Sequence, residues 1–98
     1  HQNDFDGTVS LGSFDGCDAI VMEQKHENEI YYTYIYACGQ ELKELFIKKD
    51  VQASASSGRT ILMIEDFSAE QLSDHLLRVS CRDQRGQDAT AIISIKSS

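Results

Sequence analysis

The run Ile30-Tyr31-Tyr32-Thr33-Tyr34-Ile35-Tyr36 consists entirely of β-branched and aromatic residues. These types lose side-chain freedom in a helix and pack well on a pleated surface, so the segment commits the chain to a β-sheet. One strand needs partners, and the rest of the sequence supplies them. In residues 89–96, Ala89, Ala91, Ile93 and Ile95 alternate with Thr90, Ile92, Ser94 and Lys96. Just upstream, Leu77, Val79 and Cys81 alternate with Arg78, Ser80 and Arg82. Period 2 of this kind predicts strands with one apolar face. The polar segment 83–88, with Gly86 in it, joins them as a hairpin. Val9, Leu11 and Ser13 alternate between two turn signals, Asp6-Gly7 and Asp15-Gly16. Residues 19–22 and 60–64 are short apolar runs of the kind that form buried strands. No proline interrupts any of this. About seven strand-like runs in a chain of this size predict an all-β sandwich.

Two segments also fit a helix. In residues 40–49, Leu42, Leu45 and Phe46 fall at i, i+3 and i+4, and Glu44 stands four before Lys48. Ser68-Ala69-Glu70-Gln71 has the form of a capping box, followed by Leu72 and Leu76. They read either as single turns between strands or as helices of a small α+β regulatory domain. The small-residue stretch 53–58 reads as an exposed loop, and residues 1–98 are expected to form one domain.

Charge narrows the function classes. The chain carries 9 basic and 16 acidic residues, a net charge of −7. Nucleic acid as a partner needs clustered Lys and Arg, which are absent. No stretch approaches the ~20 apolar residues of a membrane span, so no direct insertion is expected. The polar opening His1-Gln2-Asn3-Asp4 does not resemble a signal peptide. His1, His26 and His75 stand far apart and no nucleophile elbow or phosphate loop occurs, so a non-enzymatic chain is expected. Cys17, Cys38 and Cys81 form no C-x-x-C pair. They allow one bridge and a free thiol, or three reduced core thiols. The tyrosines are the remaining concentration: on a strand, Tyr32, Tyr34 and Tyr36 share one face. Exposed, that face is a contact surface; buried, it is core.

The second half resembles a cadherin repeat. Phe67-Ser68-Ala69-Glu70 occupies the place of the leucine-led acidic motif, and Leu77, Val79, Cys81 and Asp83 follow at the family's spacing. Asp88-Ala89-Thr90-Ala91 then leads into Ile93 and Ile95, as in the family's last strand. Asn28, Tyr34 and Ile35 fit its third strand, and Val9, Leu11, Ser13 and Asp15 its second. The resemblance implies a seven-stranded Greek-key β-sandwich of cadherin or immunoglobulin type. It also implies an extracellular module of a cell-surface or secreted protein, next to neighbouring domains, acting in homophilic or heterophilic adhesion or protein–protein contact.

Calcium is the cofactor the resemblance implies, and the motifs are partly lost. Ser68 stands where an aspartate is expected, and Asp15-Gly16-Cys17 keeps one acid of a pair. The implied ligands are Asp15, Asp18, Asp83 and Glu70, with weak or absent binding, because calcium takes about six to eight oxygens. Asp15 and Asp83 also read simply as turn residues. An immunoglobulin-like binding domain is the alternative, although no Trp is available for its third strand. Both sandwich resemblances imply the same bridge, Cys17–Cys81, with Cys38 carried by the third strand to the opposite pole.

Overall fold

A computed structural model describes residues 2–96, with side chains from 7 to 94. Among these residues the protein is all-β, with no α-helix. The strands are β1 (Gln2–Asp6), β2 (Thr8–Phe14), β3 (Cys17–His26), β4 (Glu29–Cys38), β5 (Glu41–Lys48), β6 (Arg59–Ser73), β7 (Leu76–Asp83) and β8 (Asp88–Lys96). One 3-10 turn, Ala55–Ser57, lies between β5 and β6. The order across the sheet is β1-β8-β7-β6-β5-β4-β3-β2.

From β2 to β8 every strand pairs antiparallel with its sequence neighbour, and β1 pairs parallel with β8. This hairpin succession differs from the expected Greek-key order, in which one strand returns by a long connection. Short turns explain the difference. Asp15-Gly16 joins β2 to β3 and Glu27-Asn28 joins β3 to β4, each with positive φ at both positions. That is the type I′ pattern, whose twist holds adjacent strands side by side and fixes their register.

The sheet folds over on itself at β6. Its first residues, from Arg59 to Met63, pair with β5; from Ile64 onward it pairs with β7. The pairing register shifts between Ile64 and Asp66, and strands that change layer do so at such irregularities. Gly7, at φ 151°, joins β1 in one layer directly to β2 in the other. The molecule measures 42 × 30 × 17 Å, and the short axis leaves room for two layers spaced ~10 Å apart. Val9 and Ile20 from β2 and β3 meet Leu77 and Ile93 from β7 and β8 between the layers. Val79 packs at the margin, and the side chain of Ile95 lies outside the described residues. Burying residues such as Ile20 and Leu77 stabilises by roughly 1.5–3 kcal/mol each.

Both helix candidates are strands. Residues 41–48 are β5, because the tight turn after Cys38 returns the chain along β4. Leu42 points inward and is buried, while Leu45 lies on the opposite face beside Tyr34. Residues 68–73 continue β6, paired with β7 from Ser68↔Ser80 to Ser73↔Leu76.

Candidate functional site

The outer face of the β2–β5 layer carries the chain's aromatic concentration. Strand alternation puts Tyr32, Tyr34 and Tyr36 on this face, and Phe14 at the end of β2 joins them. The Phe14 ring stacks on Tyr34 at 4.5 Å and meets Tyr36 at 5.1 Å, while Tyr32 and Tyr34 lie 5.8 Å apart. Tyr32 and Tyr34 are half-buried, and Tyr36 is fully buried. Tyr36 is therefore core, not contact surface.

What covers Tyr36 is the connection from β5 to β6. This segment leaves the end of β5 at Lys48 and crosses back to mid-strand, since β6 begins with Arg59 opposite Glu44. The Tyr36 hydroxyl donates to the Ala55 carbonyl at 2.7 Å, and the Asp15 carboxylate accepts the Ala55 amide at 2.8 Å. Gly58 lies so close that a Cβ there would overlap the Tyr36 hydroxyl and stand 3.0 Å from its ring and 3.1 Å from the Glu44 carbonyl. Burial, the largest cause, raises the Tyr36 phenol above its ordinary value, against a lowering hydrogen bond from the Gly58 backbone.

The three cysteines are free and half-buried. Cys17 and Cys38 stand at the facing ends of β3 and β4, whose register runs Ala19↔Tyr36 and Ile20↔Ile35. The Cys17 thiol is raised above its ordinary value, first by a hydrogen bond with Cys38 and then by burial. The expected separation of Cys38 from Cys17 is thus corrected. Two strands, not one, lie between them, and the second returns to the end where the first began. Cys81 sits in β7 opposite Ala89, in the other layer. Burial raises its thiol too.

The proposed calcium ligands do not gather. Asp15 holds the Ala55 amide. Asp18 lines a depression between the layers with Leu11, Phe67 and Ser68. Glu70 pairs with Arg78 across the β6–β7 hairpin at 3.0 Å. Asp83 accepts the Arg85 and Gln87 amides at 2.9 Å each, shaping the β7–β8 turn. Among the described residues no group of three or more His, Cys, Asp or Glu side chains could hold a metal.

Two features escaped the sequence reading. Ile61, Leu62 and Met63 are exposed in succession on β6, where no strand pairs with its second edge among the described residues. Phe46, 59% exposed, stacks on Tyr31 at 5.3 Å, and Tyr31 in turn meets His26 at 5.8 Å. Beside them Lys48 and Glu29 pair at 2.6 Å, and that contact holds the Glu29 carboxyl below the ordinary range. The continuous apolar run 60–64 predicts a buried strand, and the structure buries Ile64 alone of the five. Three surface depressions of about 220, 290 and 310 Å³ fall below or at the floor of the ~300–1,000 Å³ usual for small-molecule sites.

No curated protein and no solved structure matches the chain. A family model, described as a domain of unknown function (DUF4860), matches residues 1–84, from β1 through β7. The chain belongs to the DUF4860 family.

Proposed function

We propose that the chain is a non-enzymatic protein-contact module that takes a second protein onto the open edge of β6. The carrying observation is the exposed succession Ile61-Leu62-Met63 on a strand that, among the described residues, is paired along one side only in that stretch. Unpaired backbone groups along such an edge form a template for an added strand, and alternate apolar side chains supply affinity. Natural sheets normally blunt these edges with charge or with bulges; here Arg59 and Glu65-Asp66 stand only at the two ends of the apolar stretch, and its pairing with β5 shifts register once, between Thr60 and Leu62. Calcium-linked adhesion of the cadherin kind, with a Greek-key sandwich and an extracellular setting, is a narrower form of the proposal. The motif resemblance supports that form; the hairpin order of the strands favours the broader one.

Sedimentation over a wide concentration range and selection of extended peptides on the immobilised chain test the proposal together. Self-association or peptide capture should appear and be lost in an Ile61→Lys, Met63→Lys variant that keeps its β-sheet spectrum. A chain that neither self-associates nor yields any binder sensitive to this variant refutes it.

A further inference from the structure

We propose that Cys17 and Cys38 are a modification site: a cross-strand pair set to close as an intramolecular disulfide on the outer face of the β2–β5 layer. Two tight turns fix how the backbones of the two cysteines are oriented. Asp15-Gly16 is a two-residue turn flanked by Phe14↔Cys17, and Gly39-Gln40 is another flanked by Cys38↔Glu41. Residues flanking a two-residue hairpin turn exchange backbone hydrogen bonds with each other. The N–H and C=O of Cys17 therefore point toward β2, and those of Cys38 toward β5. Neither points toward the other cysteine. The third turn agrees: His26↔Glu29 is the hydrogen-bonded pair beside Glu27-Asn28, and nine steps along an alternating ladder end on a non-hydrogen-bonded position.

In a non-hydrogen-bonded antiparallel pair the Cα atoms lie ~4.5 Å apart and the side chains approach closest. That falls inside the ~4.4–6.8 Å that a disulfide spans. Both side chains share the face of Ala19 and Tyr36. Cys81 cannot compete. It alternates with Leu77 and Val79 toward the space between the layers, so the whole β2–β5 sheet separates it from the other two thiols.

The reaction needs an oxidant, and a small-molecule disulfide of the glutathione class supplies it. One cysteine thiolate attacks a sulfur of the oxidant, breaking its S–S bond, forming a mixed disulfide and releasing one thiol. The second cysteine loses its proton, attacks the protein-side sulfur and expels the second thiol. Two cysteine thiols and one disulfide thus become the Cys17–Cys38 bridge and two small thiols. The bridge would tie the ends of β3 and β4 beside the Asp15–Ala55 and Tyr36–Ala55 bonds that hold the β5–β6 connection in place.

The full chain incubated with oxidised glutathione, then alkylated and mapped without reduction, tests this. The expected product is a monomer with a Cys17–Cys38 linkage and an alkylated Cys81, melting about 10 °C or more above the reduced chain. The Cys81→Ser variant should keep that shift, and Cys38→Ser should lose it. A linkage to Cys81, a disulfide-joined dimer, or glutathione persisting on Cys17 and Cys38 would overturn the assignment. Mapping of the unmodified sequence decides it even if a variant fails to fold.

Discussion

Replacing Gly58 by alanine sets two well-understood effects against each other. The backbone at Gly58 is extended, at φ −76° and ψ 163°, a conformation that alanine adopts freely. Judged on the backbone alone, Gly58→Ala should stabilise by ~0.4–1 kcal/mol, because it restricts the unfolded chain. The surroundings reverse the sign. The new methyl would overlap the Tyr36 hydroxyl, at 3.0 Å from the ring carbon that bears it and 3.1 Å from the Glu44 carbonyl. None of these neighbours can yield easily. The ring is fully buried and its hydroxyl is anchored on Ala55, while the carbonyl belongs to a strand. Forcing an extra methyl into a packed site costs about 1–3 kcal/mol. The net expectation is a loss of ~1–2 kcal/mol, or roughly 5–15 °C in melting temperature for a domain of this size. Urea unfolding followed by tyrosine fluorescence and far-ultraviolet dichroism measures it. The double variant Gly58→Ala, Tyr36→Phe removes the overlapping oxygen and should recover part of the loss, giving a coupling of ~1 kcal/mol. A neutral or stabilising Gly58→Ala would refute the reasoning, because the connection would then not be pressed onto Tyr36.

Leu77→Ala, at 1% exposure, should destabilise by about 2–5 kcal/mol in the same urea assay, whereas Leu72→Ala, at 41%, should cost well under half of that. Burial raises the Tyr36 phenol, so the folded chain keeps this proton to higher pH than the unfolded chain. Its contribution to stability is therefore complete below the ordinary phenol value of about 10 and is lost as pH rises through the raised folded value; Tyr36→Phe should flatten that alkaline decline. Calcium at ~0.1 mM should leave the melting temperature unchanged within error, because Asp15, Glu70 and Asp83 are engaged elsewhere; a rise of many degrees would show a tight site.

Local periodicity announced β7 and β8, since each keeps one apolar face toward the core, and residue type alone announced β4, whose run 30–36 is β-branched and aromatic on both faces. It misled where both faces of a strand are covered. In β5, Leu42 faces the core, while Leu45 and Ile47 lie on the opposite face, the one the returning connection crosses. Apolar residues on two faces produce the i, i+3, i+4 spacing of a helix. β1 gave no signal: Gln2-Asn3-Asp4-Phe5-Asp6 is mostly polar, and its pairing comes from β8 at the far end of the sequence. Strand order is likewise a long-range property that alternation does not carry. The cysteine pairing was within reach, because Cys17 and Cys38 are equidistant from the Glu27-Asn28 turn and close two strands of 10 residues each. The exposed edge of β6 was not, since an apolar run looks the same whether or not a neighbour covers it.

The parallel pairing of β1 with β8 determines how the protein would bear a mechanical load. Gln2 lies beside Ile92 and Asp6 beside Lys96, so the chain enters at one end of this pair and leaves at the other. Tension between the two ends would slide β1 and β8 past each other along their length. All the hydrogen bonds of the pair would then be strained at once, in shear. An antiparallel pairing of the same two strands would place both ends together, and its bonds would open one after another, like a zip. In a chain pulled from both ends, this short polar strand would carry the force before any hairpin behind it began to yield.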